Sequence, residues 1–211
     1  MILKAYHVGE LSTNNYLLID EISKEAVLID CTGDFEIINN DLQKYGANLK
    51  YILLTHGHFD HILGCPDFKK NLSPKICVNE RDKILLENVK LQCDYFGMSK
   101  DAKIDADMLI DETTNLKVGN HEIKVIETKG HTKGGISYLI DGMLFAGDTL
   151  FFEEIGRCDL PGGDFNEIKD SIAKKLYKLP QKTPVYPGHG RPTTIEHEME
   201  FNYYVNGNSI V

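Results

Sequence analysis

The stretch Thr55-His56-Gly57-His58-Phe59-Asp60-His61 follows directly on the apolar run Tyr51-Ile52-Leu53-Leu54. Four adjacent β-prone apolar residues predict a buried strand, and α/β folds bind their ligands at the carboxyl ends of such strands. In extended backbone, His56 and His58 point to the same side and can hold one metal ion, whereas Asp60 and His61 lie beyond the turn and can serve a second. The alternative is a solvated polar loop, but the spacing favours a metal site at a strand end.

Three further polar motifs follow strand-like runs: Gly130-His131-Thr132, Gly147-Asp148-Thr149 and Pro187-Gly188-His189-Gly190. The same argument places each motif at a strand end, so we expect all of them to converge on the first one. Together they supply five histidines and two aspartates, enough for two ions with Asp148 as a bridging carboxylate. The predicted metal ligands are His56, His58, Asp60, His61, His131, Asp148 and His189.

This order of residues, HxHxDH followed by a separate His, Asp and His, resembles the metallo-β-lactamase superfamily over nearly all of the chain. Periodicity by itself predicts only a mixed α/β fold, whereas the resemblance implies a four-layer αββα sandwich with the metals at one end of the sheets. It implies one ion on His56, His58 and His131, and another on Asp60, His61 and His189. The implied cofactors are two divalent transition-metal ions, with zinc expected and iron or manganese as alternatives.

Within the superfamily, segments 147–151 and 156–164 resemble the glyoxalase II branch and its short bacterial relatives. The resemblance implies hydrolysis of thioesters such as hydroxyacylglutathione. We expect a single domain over residues 1–211, without the C-terminal helical extension that helps glyoxalase II enzymes to bind glutathione. Arg157 stands where the branch has a cation for the glutathione carboxylate, whereas Asp159 and Arg191 replace aromatic residues. We therefore predict that Arg157 and Arg191 bind an acidic thioester, the alternative for Arg157 being a salt bridge within its loop.

The chemistry predicted for such a site is hydrolytic. Two ions lower the pKa of a bound water toward neutrality, so that hydroxide forms where bulk water would not ionise. The ions also stabilise the developing oxyanion, and no Ser or Cys nucleophile is required. Asp60 and Asp148 are the predicted catalytic carboxylates, because Asp60 can orient the hydroxide or accept its proton and Asp148 can bridge the ions.

Four other functions compete with thioester hydrolysis. The first is a mononuclear iron persulfide dioxygenase, a relative that uses only the positions of His56, His131 and Asp148, a 2-His-1-carboxylate set suited to Fe(II). The others are a lactonase, a β-lactamase and a non-catalytic metal-binding domain of the same fold. The β-lactamase is disfavoured because many of those enzymes have Cys at the position of Asp148. The intact ligand set argues against a non-catalytic domain.

Composition limits the partners and the compartment. The chain has 211 residues, 42% of them hydrophobic, which is enough for one domain with a sizeable core. A net charge of −9 argues against nucleic acid and favours a small-molecule substrate. The N-terminus lacks a basic segment followed by an apolar core, so neither export nor membrane insertion is predicted. Five cysteines without CxxC spacing predict free thiols and a cytoplasmic location, with Cys158 as the candidate for reactivity.

The periodicity of the sequence predicts two similar halves. Strands are expected at 2–8, 15–20, 26–30, 51–54 and 75–78, and a second series at 116–118, 121–127, 136–140 and 143–146. Asp34 is the expected N-cap of a helix that ends at Gly46, and 81–89 is expected to be helical before an irregular excursion over 92–107. A capping box at Asp164 to Glu167 predicts a helix that Pro180 ends.

Overall fold

The computed structural model describes residues 1–100 and 102–206. Its first six-stranded sheet runs in chain order and contains β1 (Ile2–Val8), β2 (Thr13–Ile19), β3 (Glu25–Ile29), β4 (Asn48–Leu53), β5 (Lys75–Val78) and β6 (Met108–Leu109). The second, also of six strands, contains β7 (Leu116–Val118), β8 (His121–Glu127), β9 (Ile136–Ile140), β10 (Met143–Gly147), β11 (Pro184–Pro187) and β12 (Thr193–Thr194).

The helices alternate with these strands. They are α1 (Phe35–Tyr45), α2 (Phe59–Ile62), α3 (Cys65–Leu72), α4 (Lys83–Glu87), α5 (Val89–Tyr95), α6 (Phe165–Lys174) and α7 (Ile195–Phe201), with 3₁₀ turns at Glu80–Asp82 and Leu176–Lys178. None of the helices in the described part of the chain combines the length and the apolar character that crossing a membrane requires.

Three hydrophobic cores establish the layer order. The central core joins the facing sides of the two sheets, for example Leu18 of β2 and Tyr138 of β9, both of which are fully buried. The outer face of the first sheet packs against helices α1 to α5, and that of the second against α6 and α7. The four-layer αββα sandwich is thereby confirmed, and both sheets are mixed.

Strand direction brings the predicted ligand loops to one edge. Strands β3, β4, β5 and β6 are parallel, as are β10 and β11, so within each sheet their carboxyl ends lie together. Hydrogen bonds join the two sheets at this edge. The Ile136 amide donates to the Thr55 carbonyl at 2.7 Å, and the Tyr138 hydroxyl donates to the Leu54 carbonyl at 2.7 Å. These bonds hold the loops of the two sheets in a fixed relation.

The local predictions fail at several helix ends. Asp34 precedes α1 with φ of 54° and its side chain makes no cap bond, although Gly46 ends the helix in the left-handed conformation as predicted. The predicted helix over 81–89 is broken at Asn88, and α5 extends into the segment predicted to be irregular. That extension forms because Val89 and Cys93 are buried in the core between the first sheet and its helices. Asp164 caps α6 as predicted, but the helix ends at Lys174, well before Pro180.

Candidate metal centre

All seven predicted ligands meet at the shared edge of the sheets. His56 and His58 lie in the loop after β4, and α2 carries Asp60 and His61. The loops after β8, β10 and β11 contribute the remaining ligands, which are His131, Asp148 and His189. The side chains form three groups whose potential ligand atoms lie within 4.8 Å of one another: His56, His58 and His131; His56, His61 and Asp148; Asp60, His61 and His189.

The Asp148 carboxylate lies between two of these groups, the one of His56, His58 and His131 and the one of Asp60, His61 and His189. Its Oδ2 is 3.6 Å from His131 Nε2 and 3.5 Å from His189 Nε2, and its Oδ1 is 3.4 Å from His61 Nε2. Within the first of these two groups, His58 Nδ1 is 2.9 Å from His131 Nε2. One carboxylate therefore faces both sets of imidazoles, which is the geometry that a bridging ligand requires.

Two buried polar atoms lie at the centre of the site. His56 Nε2 and Asp148 Oδ1 have no hydrogen-bond partner among the described residues. An unsatisfied buried polar atom is costly, and a metal ion would satisfy both of these atoms. Imidazole and carboxylate donors suit zinc, iron and manganese. The residues present therefore fit divalent transition-metal ions.

Three of the ligands have the ionisation state that metal binding requires. Burial lowers the pKa of His56 well below its usual value and that of His58 to about 3, so both rings are neutral at pH 7. Burial opposes ionisation of Asp148, but the neighbouring His61 and His131 outweigh it and lower the pKa of the carboxyl. Metal ions require neutral imidazoles and charged carboxylates, as His56, His58 and Asp148 provide. At His61 and His189, burial lowers the pKa but the neighbouring Asp60 and Asp148 outweigh it and raise the pKa, so a metal ion must displace a proton there.

Four of the ligand histidines are oriented through their Nδ1 atoms. The Nδ1 of His61 is 2.8 Å from Asp30 Oδ2, and that of His56 is 3.1 Å from the Thr55 hydroxyl. His131 Nδ1 bonds to the Arg157 carbonyl at 2.7 Å, and His189 Nδ1 to the Leu11 carbonyl at 3.2 Å. Such contacts fix the rings and leave each Nε2 atom for the metal.

Asp30 and Asp82 support the site and did not emerge from the sequence. Asp30 follows an apolar strand as the predicted ligands do, so that pattern could have identified it. Asp82 is buried and accepts hydrogen bonds from the Gly57 amide at 3.1 Å, the Gly134 amide at 2.7 Å and the Thr132 hydroxyl at 2.7 Å. It joins the loops that carry His58 and His131, and no feature of its sequence context indicates this role.

An open cavity of about 480 Å³ lies over the ligands. Apolar side chains form much of its wall: Leu11, Phe59, Phe96, Phe151, Ile155 and Leu160. Glu154 and Arg157 also line it, together with His58, Asp60, His131, Asp148 and His189.

The predicted substrate contacts differ in their placement. Arg157 lines the cavity and also forms an ion pair with Asp159 in its own loop. The Arg191 guanidinium instead lies 3.5 Å over the Phe152 ring, and Arg191 is not among the residues that line the cavity. Burial raises the pKa of Cys158 to about 11, so its thiol is protonated at pH 7 and the expected reactivity is not supported.

Comparison with known proteins agrees with this geometry. Residues 8–189 match the metallo-beta-lactamase superfamily. The chain is 34% identical to the hydroxyacylglutathione hydrolase GloC of Haemophilus influenzae, with 92% of this chain and 94% of GloC covered. Its structure is similar to that of the B3 metallo-beta-lactamase BLEG-1, with a TM-score of 0.89, 34% identity and coverage of 97% and 99%. It is also similar to TTHA1623 in a di-iron-bound form, with a TM-score of 0.86, 30% identity and coverage of 96% and 100%.

The ligand order, the αββα layers and these similarities lead to one assignment. A superfamily match over most of the chain, joined to a whole-length structural similarity, excludes a chance occurrence of HxHxDH. The chain belongs to the metallo-β-lactamase superfamily.

Proposed function

We propose that this protein is a thioester hydrolase that binds two divalent transition-metal ions, with zinc expected and iron or manganese as alternatives. The observation that carries the proposal is the Asp148 carboxylate, which faces both sets of imidazoles and whose Oδ1 has no hydrogen-bond partner among the described residues. Similarity to GloC supports the thioester substrate, and similarity to a di-iron protein supports the number of ions. A small acidic thioester such as hydroxyacylglutathione is the proposed substrate.

Each part of the site has a task in this reaction. Two bound ions would supply a hydroxide nucleophile at neutral pH and a Lewis acid for the thioester carbonyl. Asp60 accepts a hydrogen bond from the Thr13 hydroxyl at 3.3 Å, and its Oδ2 lies 3.3 Å from His189 Nε2. This carboxylate is placed to orient the attacking water and to accept its proton. Asp30 holds His61 in position.

A reducing compartment fits this assignment. The cysteines form no disulfide in the described part of the chain. We therefore propose a cytoplasmic location, where thiols stay reduced and thioesters of small thiols occur.

A panel of substrates tests the function. The protein is loaded in turn with Zn²⁺, Fe²⁺ and Mn²⁺ and assayed with S-lactoylglutathione, a lactone, a β-lactam and glutathione persulfide, the last by O₂ uptake. We expect thioester hydrolysis with at least one metal and no O₂ uptake. Hydrolysis should be lost in Asp60→Asn and retained in His121→Ala, a histidine on β8 outside the ligand set. O₂ uptake without thioester hydrolysis would establish the dioxygenase instead.

A further inference from the structure

Arg157 is the only cationic side chain among the described residues that line the cavity, its histidines aside. Its guanidinium is already engaged, because Nε donates to Asp159 Oδ1 at 2.7 Å and Nη2 donates to Asp159 Oδ2 at 2.8 Å. This is the bidentate arrangement through which arginine binds the carboxylate of a ligand. A substrate carboxylate that approaches the same edge must first displace Asp159.

The backbone of this loop is tied to the metal centre. The Arg157 carbonyl accepts a hydrogen bond from His131 Nδ1 at 2.7 Å, so residue 157 has a fixed position relative to the ligands. The Arg157 and Asp159 side chains are themselves more than half exposed, at 54% and 68%. Their ion pair is therefore open to exchange with a ligand, and the loop need not move for that exchange.

We propose that Asp159 is a specificity-determining residue: by occupying the Nε–Nη2 edge of Arg157, it weakens binding of substrates that carry a carboxylate beside this loop. That the substrate is a thioester rests on the proposed function. The effect of Asp159 on carboxylate binding does not depend on it. It implies that an acidic thioester such as that of glutathione, whose thiol portion bears two carboxylates, binds more weakly than it would if Arg157 were free of Asp159, whereas a thioester with a neutral group near Arg157 is unaffected.

The rest of the cavity does not compensate for the engagement of Arg157 by Asp159. Its wall is largely apolar, and Glu154 adds a negative charge. The nearby Arg191 is stacked on Phe152 and does not line the cavity, so it does not replace Arg157 as an anion-binding group. Within the described cavity wall, anion binding outside the metal centre thus depends on the one arginine that Asp159 engages.

A binding experiment with two probes tests this inference. The zinc-loaded protein is titrated by calorimetry with S-benzylglutathione and with S-benzyl-N-acetylcysteamine, a neutral thioether. Neither probe can be hydrolysed, so the result does not depend on turnover. Asp159→Asn removes the competing charge and should tighten S-benzylglutathione binding about fivefold, the size of an exposed ion pair, while binding of the neutral probe is unchanged.

Two controls separate displacement from a general change in charge. Glu154→Gln removes one negative charge from the cavity wall but leaves the Arg157–Asp159 pair intact, so it should give a smaller gain. In an Arg157→Ala background, Asp159→Asn should give no gain at all. An equal gain in that background, an unchanged ratio of the two affinities, or failure of every form to bind either probe would overturn the inference. A shifted ratio in a protein that hydrolyses no thioester would instead overturn only the proposed function.

Discussion

Replacement of Asp30 by asparagine should weaken one metal site more than the other. Asp30 is buried, its Oδ2 lies 2.8 Å from His61 Nδ1, and its Oδ1 accepts the Thr55 amide at 2.8 Å. In Asp30→Asn the amide oxygen can keep the bond to Thr55, which turns the amide NH₂ toward His61. An NH₂ donor requires an acceptor at Nδ1, so the imidazole proton moves to Nε2.

That proton would occupy the atom that binds the metal. His61 Nε2 faces Asp60 and Asp148 at 3.5 and 3.4 Å. Loss of the group that orients a metal-bound histidine lowers metal affinity about 10- to 100-fold, or about 1.4 to 2.7 kcal/mol. The penalty should fall mainly on the ion that Asp60, His61 and His189 would hold, because Asp30 contacts His61 directly but reaches the other set only through the Thr55 hydroxyl, which lies between Asp30 and His56 Nδ1.

Competition with a chromogenic chelator during zinc titration gives the affinity of each site. Asp20→Asn is the matched control, since Asp20 is also buried but lies at the far end of β2, where it accepts hydrogen bonds from Ile22 and Ser23 of its own turn and pairs with His121 at 3.8 Å. Circular dichroism and urea unfolding of the metal-free variants separate loss of folding from loss of affinity. If folded Asp30→Asn binds both ions as tightly as the wild type, the tautomer argument is wrong.

Four further outcomes are expected. Elemental analysis after metal-replete expression should give close to two ions per chain, and a value at or below one under saturating Zn²⁺, Fe²⁺ and Mn²⁺ in turn would reject the binuclear site. His189→Ala should lose about 100-fold or more of thioesterase activity, as should His131→Ala, whereas retention of activity by His189→Ala alone would indicate a mononuclear mechanism. Arg157→Ala should raise KM for an acidic thioester more than it lowers kcat, and equal KM values would leave Arg157 with only its ion pair. Gly130→Ala should lower the free energy of unfolding by about 2 to 5 kcal/mol, because φ is +131° and an added Cβ meets the Ile168 backbone; unfolding of the metal-free protein by urea measures it.

The ligands were predictable because they lie at strand ends. The apolar run before His56 forms β4, and comparable runs form β8 and β10 before His131 and Asp148. Apolar runs and turn residues are local properties, so short segments of sequence are enough to predict them. The helix breaks at Asn88 and Lys174 were harder to predict, since packing against the sheets decides where a short helix ends.

The partners of the ligands were not predictable in the same way. Asp82 is separated from Thr132 by 50 residues, and Asp30 from His61 by 31. Whether such groups meet depends on strand order and on the contact between two sheets, and neither follows from local periodicity. The engagement of Arg157 by Asp159 is close in sequence, but two exposed residues of opposite charge do not by themselves specify a bidentate pair.

The sequence by itself determined which side chains can bind metal and which segments form strands. The ligand atoms of a side chain and the apolar character of a short segment are both properties of the residues themselves. Only the tertiary structure decided that the Asp148 carboxylate faces both imidazole sets, that Asp30 orients His61 and that Asp159 occupies Arg157. Those relations are distances between atoms on different loops. They are set when the two sheets pack and bring the carboxyl ends of their strands to one edge.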